Sequence, residues 1–154
     1  MLNRKPSIED SPRAMILLVD DNSNGLKARK SVLEEHGHSV VTSCGGVDAL
    51  ERFGREKFDL VVTDYKMPGI NGVQLISRLR QVRPAVPVIL LSGFADTLGL
   101  TQENTGADAV IQKSAHEVAH LVRAVSKIAQ QKFVRKPPTP QAPPPKAKRK
   151  GGAA

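Results

Sequence analysis

Five short apolar runs recur along this chain, at residues 15–19, 39–42, 60–63, 88–91 and 109–111, with amphipathic stretches between them. Runs of so few residues, rich in Val, Ile and Leu, are too short for buried helices and read as strands covered on both faces. Their alternation with helix-patterned stretches predicts an α/β fold: a parallel sheet doubly wound as (βα)5, with helices on both faces in a three-layer sandwich. In such an open sheet the carboxyl ends of the strands share one edge, so polar residues just beyond each run converge from distant parts of the sequence.

The 154 residues make one domain with tails rather than two domains. Residues 1–13, with Pro6, Pro12 and mixed charge, read as a flexible leader, and residues 14–131 carry the strand–helix rhythm. Residues 132–154 read as a disordered C-terminal tail with polyproline II character, because six prolines between Pro137 and Pro145 precede the basic run Lys146, Lys148, Arg149 and Lys150. That division locates the charge. The formal net charge is +8, and the seven Lys and Arg from Lys132 onward account for all but one unit of it. Basicity therefore belongs to the tail and not to a nucleic-acid-binding body. The single cysteine, Cys44, excludes an internal disulfide and is expected to be a small buried hydrophobe in a reducing cytosol. The first apolar run stops at two aspartates, far short of a membrane span, so neither signal peptide nor transmembrane helix is expected and the predicted location is cytoplasmic.

Helix starts are legible at Asn71 with Gln74 and at Ser114 with Glu117, both at capping-box spacing. In the last helix Val118, Leu121, Val122, Val125 and Ile128 recur at three- and four-residue intervals and predict one apolar stripe. The fourth helical stretch, near residues 95–104, contains Gly99 and few apolar anchors, and is expected to be the most mobile.

Asp20 and Asp21 follow the first run, Asp64 the third and Ser92 the fourth, while Lys113 comes shortly after the fifth. With strand order 2-1-3-4-5 the first and third strands are neighbours, which crowds three carboxylates. They repel unless a cation neutralises them, and a hard, oxygen-only set that keeps coordinated waters suits Mg²⁺. Asp64, the central carboxylate, can attack phosphorus to form an acyl phosphate, with Lys113 and Ser92 meeting the other phosphoryl oxygens.

The segments ILLVDD, VVTDYKMPGINGVQLI, VILLSG and GADAVIQKS occur in that order and closely resemble the receiver domain of two-component response regulators, chemotaxis-regulator-like, over about residues 14–130. The resemblance implies a flavodoxin-like fold and a role in phosphorelay signal transduction. It implies Asp64 as phosphoacceptor, Asp20, Asp21, Asp64 and the backbone carbonyl of Lys66 as Mg²⁺ ligands, Ser92 as the switching hydroxyl and Lys113 as the phosphate-contacting lysine. The implied donor is a phosphohistidine on a histidine kinase or phosphotransfer protein. Lys66 and Phe94 occupy positions that tune hydrolysis in that family, and Phe94 standing in water's path implies slow dephosphorylation.

Two residues depart from the pattern. Ser114 replaces the proline, often cis, that usually follows the lysine, so a trans link is predicted. Val110 stands where many receivers carry a Tyr or Phe that swings inward on activation; small and stiff at χ1, it excludes an aromatic rotamer as the readout.

Plainer readings compete. The aspartates can be turn acids, although four suitably typed strand ends argue against coincidence. His116-Glu117-Val118-Ala119-His120 matches the H-E-x-x-H motif of zinc proteases, but no His, Asp or Glu follows His120 to supply a further ligand. The tail offers P-x-x-P spacing and a basic run, suited to an aromatic groove or to nucleic acid, yet such runs are more often solvated. The leading expectation is a stand-alone, Mg²⁺-dependent phosphoprotein switch that is not an enzyme and acts on an unidentified protein partner. The alternative is a phosphorylation-independent interaction module of the same fold whose basic tail binds a partner or nucleic acid.

Overall fold

The computed structural model describes residues 12–93 and 98–135, the last four as backbone only. Most of the expected leader, Phe94 and the Pro-rich tail from residue 136 lie outside the described residues.

Strands β1 Met15–Val19, β2 Ser39–Ser43, β3 Leu60–Asp64, β4 Val88–Ser92 and β5 Ala109–Gln112 form one parallel sheet in the order β2-β1-β3-β4-β5. Helices α1 Ser23–Glu35, α2 Gly46–Arg55, α3 Gly72–Val82, α4 Gln102–Thr105 and α5 Glu117–Arg135 alternate with them. No helix among the described residues is long and apolar enough to cross a membrane. Successive strand side chains point to opposite faces, and both faces here are apolar. Ile16, Leu18, Leu60, Val62, Ile89 and Leu91 pack with Leu26 and Leu33 of α1 and Leu121, Val125 and Ala129 of α5. Leu17, Val19, Val61, Val88 and Leu90 pack with Ala49 and Phe53 of α2 and Leu75, Ile76 and Leu79 of α3. Each fully buried Leu, Ile, Val or Phe side chain contributes roughly 1.5–3 kcal/mol, so two covered faces require runs without polar alternation.

Four strands run one residue beyond their apolar runs, through Ser43, Asp64, Ser92 and Gln112. The backbone ladder sets these ends: Tyr65 N–H donates to the Leu91 carbonyl and Lys113 N–H to that of Ser92, both at 2.8 Å. Polar side chains of the site therefore sit on, or directly after, hydrogen-bonded strand ends.

The expected capping box of α3 forms, with the Asn71 side chain accepting from Gln74 N–H and that of Gln74 from Asn71 N–H, both at 2.9 Å. The one expected for the last helix does not. The Ser114 hydroxyl accepts from His116 N–H at 3.2 Å, α5 starts only at Glu117, and the Glu117 carboxylate is taken by Arg29 of α1. Turning Glu117 inward puts Val118 outward at 40% exposure, so the buried stripe of α5 is Leu121, Val125 and Ala129. Helix α5 also continues to Arg135, past the boundary expected after residue 131, because no helix breaker precedes Pro137.

Of the weak fourth helix, residues 95–97 lie outside the described residues. Gly99 (φ 65°) breaks the remainder, which restarts as α4 under a Thr101–Asn104 capping box and stops at left-handed Gly106. Cys44 is exposed, contrary to its expected burial, because β2 ends one residue earlier at buried Ser43. The polar-surface default for the histidines beside Gly37 holds for His36 but not for His38, which is buried and whose Nδ1 accepts from Ala14 N–H at 3.0 Å.

Candidate functional site

The carboxyl ends of β1, β3 and β5 bring Asp20, Asp64 and Lys113 together. One carboxylate oxygen from each of Asp20, Asp21 and Asp64 lies within 4.8 Å of the others. Asp20 is buried at 1% exposure and Asp64 at 6%, whereas Asp21 faces solvent. The Lys113 ammonium stands 2.8 Å from Asp64 Oδ1 and 3.8 Å from Asp20 Oδ2. Lys66, Met67, Pro68 and Gly93 complete the walls of the cleft above these residues.

Local structure explains each placement. Asp20 is held from both sides: its N–H donates to the Ser43 carbonyl at 3.1 Å, and its Oδ1 accepts from Asn22 N–H at 3.0 Å. The Asn22 side chain in turn caps α1 by accepting from Gly25 N–H. Behind Asp64, α3 abuts the strand closely enough that a Cβ at Gly72 would lie 2.5 Å from the Asp64 carbonyl oxygen. Ser92 is buried at the end of β4, where its carbonyl anchors Lys113 N–H. Val110 lies outside the cleft, half-buried against the α2–α3 side of the sheet.

Burial pushes the Asp64 carboxyl above its ordinary value; the Lys113 hydrogen bond and charge pull the other way, and Asp20 adds to the rise. A small, hard dication among the three carboxylates would relieve this crowding. The donor set fits one, being all oxygen with one exposed member, Asp21, open to solvent.

Sequence reasoning missed one participant. Arg29 is buried, and its Nη1 donates to Asp20 Oδ2 at 2.7 Å while its Nε donates to Glu117 Oε2 at 2.6 Å. The signal was present, since Arg29 falls between Leu26 and Leu33 on the buried stripe of α1, where an apolar residue is expected. The same ion pair removes Glu117 from the protease-like motif and leaves His116, just before α5, and His120, on it, exposed. A wider groove lined by Phe58, Arg83, Val86, Asp108 and Ile128 lies at the opposite edge of the sheet, away from the converging carboxylates.

Comparison with known proteins gives a consistent result. Residues 16–140 match the family described as the response regulator receiver domain. The transcriptional regulatory protein GlrR of Escherichia coli (strain K12) is 39% identical over 93 residues, which cover 58% of this chain but only 21% of GlrR. The response regulator receiver protein CpdR of Brucella abortus is 27% identical over 113 residues, covering 73% of this chain and 94% of CpdR. Among solved structures, the response regulator TrrA of Thermotoga maritima in complex with Mg²⁺-BeF superposes with a TM-score of 0.67 at 31% identity, covering 74% of this chain and 97% of that one. A receiver domain protein from Clostridium thermocellum gives 0.70 at 29%, covering 79% and 98%.

Proposed function

Because this chain belongs to the response regulator receiver domain family, a family of signalling modules rather than enzymes, we propose that it is a phosphorelay switch carrying its phosphoryl group on Asp64. The observation that carries this reading is the pairing of Asp64 with the Lys113 ammonium at 2.8 Å beside two further carboxylates. An Asp64 carboxylate oxygen attacks the phosphorus of a phosphohistidine; the P–N bond breaks and its electron pair returns to the imidazole of the donor kinase or phosphotransfer protein. Lys113 lies where it can follow the developing charge from the carboxylate to a phosphoryl oxygen, and Ser92 donates its hydroxyl to another. Asp20, Asp21 and Asp64, with the Lys66 carbonyl, would hold Mg²⁺, which supplies charge neutralisation at the transferring group. The Mg²⁺-BeF complex of the TrrA relative supports that assignment.

Output is made by protein contact, through a shift in the population of surface conformations when Ser92 engages the phosphoryl group. Coverage of nearly all of CpdR supports a format in which the domain itself makes that contact. Phe94 slowing hydrolysis remains part of this proposal, although it lies outside the described residues. The Arg29–Asp20 ion pair favours a second reading, a phosphorylation-independent interaction module, because it neutralises one pocket carboxylate without metal. Intact-protein mass after incubation with Mg²⁺ and acetyl phosphate separates the two. One phosphoryl adduct, absent from Asp64→Asn, is expected; an unmodified wild type that also fails to accept phosphate from histidine donors would leave the interaction module.

A further inference from the structure

An arginine on a buried helix stripe needs partners for its charge, and Arg29 has them on every nitrogen. Nε and Nη2 fork onto Glu117 Oε2 and Oε1 at 2.6 and 3.3 Å, and Nη1 reaches Asp20 Oδ2 at 2.7 Å. Asp20, Arg29 and Glu117 are 1%, 8% and 8% exposed, so the cluster lies largely out of water. Burial opposes the charge on Arg29, yet Glu117 and Asp20 together outweigh it and hold the guanidinium above its ordinary value. Neighbouring backbone makes room for this contact. A Cβ at Gly25 would stand 2.7 Å from Arg29 Nη1 and 3.1 Å from Asp20 Oδ2.

One cation thus serves two anions on different elements: Asp20 in the cleft and Glu117 at the start of α5. Two anions competing for one cation make a divided allegiance that a second cation can resolve. A divalent ion bound by Asp20 takes up its charge and repels the guanidinium, whose remaining anion is Glu117.

We infer that Arg29 is a displaceable internal cation: it neutralises Asp20 in the metal-free cleft, and divalent-ion binding hands it over to Glu117, so that occupancy of the cleft resets the first turn of α5. The inference rests on the metal site proposed above and adds a route from that site to a surface. The first turn of α5, with His116 just before it, exposes His116, Val118 and His120, which such a shift would re-present to a partner. It needs no aromatic at position 110.

The test is a titration of the full ¹⁵N-labelled chain with MgCl₂ alone, reading the Tyr65 amide for the cleft and the amides of residues 117–120 for the helix start by two-dimensional NMR. In the wild type both sets move with one midpoint. Arg29→Met binds Mg²⁺ about tenfold tighter, because no internal cation has to be displaced, and the 117–120 amides no longer follow. Glu117→Gln, which leaves the guanidinium with Asp20 as its sole anion, binds Mg²⁺ more weakly. Opposite signs from the two partners of one ion pair are a signature that a merely structural pair does not give. Gly25→Ala, which crowds Nη1 away from Asp20, also tightens Mg²⁺ binding and decides the matter if Arg29→Met does not fold. Movement of Tyr65 without 117–120 in the wild type, or shifts of the same sign in both partner variants, overturns the bridge while leaving the phosphorelay reading intact. Failure of Mg²⁺ to move Tyr65 in the wild type and in all three variants overturns the metal site and the bridge together.

Discussion

His38 shows how much a single side chain can owe to its surroundings. Burial, helped by the positive potential of His36, pushes its imidazole below the ordinary histidine value, and its Nδ1 must stay unprotonated to accept from Ala14 N–H. The unfolded chain takes up a proton near the ordinary value of about 6.5, whereas the folded one does so only at lower pH. Its contribution to stability is therefore full above about pH 6.5 and is lost as pH falls from there toward the folded value. Urea unfolding followed from neutral to mildly acidic pH should show a falling midpoint, and His38→Gln should flatten that slope. An unchanged slope in the variant would show that other groups set the acid limit. At the same scale, Arg29 was hidden because its stripe position says only that the residue is buried, while its partners lie 9 and 88 residues away. No local pattern reports a pairing over that distance.

Among the elements, the contact between β3 and α3 positions the phosphoacceptor most directly. Gly72 N–H donates to the Tyr65 carbonyl at 2.7 Å, and a Cβ there would meet the Asp64 carbonyl oxygen, Leu90 Cδ1 and Tyr65 Cα at 2.5, 2.6 and 2.9 Å. Two of those three are backbone-chain atoms that cannot rotate aside. Gly72→Ala should cost about 1–3 kcal/mol by overpacking, read as a lower urea midpoint, and should slow adduct formation at Asp64 because the strand end itself must move. Wild-type stability and labelling in this variant would mean that the helix can slide away freely. Elements were well legible from the sequence wherever burial on both faces left no ambiguity, as in β1, β3 and β4. The start of α5 was not, because capping and ion pairing competed for Glu117 and the buried Arg29 won it. A guanidinium already out of water gains more from a carboxylate than an exposed helix end does.

For the molecule as a whole, the cleft links binding to stability. A dication that binds the folded carboxylates and not the unfolded chain stabilises the fold by about 2.7 kcal/mol at a hundred times its Kd. Thermal unfolding with increasing Mg²⁺ should shift upward and return with chelator, with a smaller shift in Asp64→Asn; a midpoint indifferent to Mg²⁺ would count against the site. The sequence by itself determined the layers and the gathering of Asp20, Asp21, Asp64, Ser92 and Lys113 at one edge, because apolar runs must be covered and parallel strands end together. Tertiary structure alone decided the burial of His38 and Arg29, the exposure of Cys44 and Val118, and the bridge from Asp20 to Glu117. Whether a polar group is buried depends on finding a partner, and that partner is supplied by packing between segments distant in the chain.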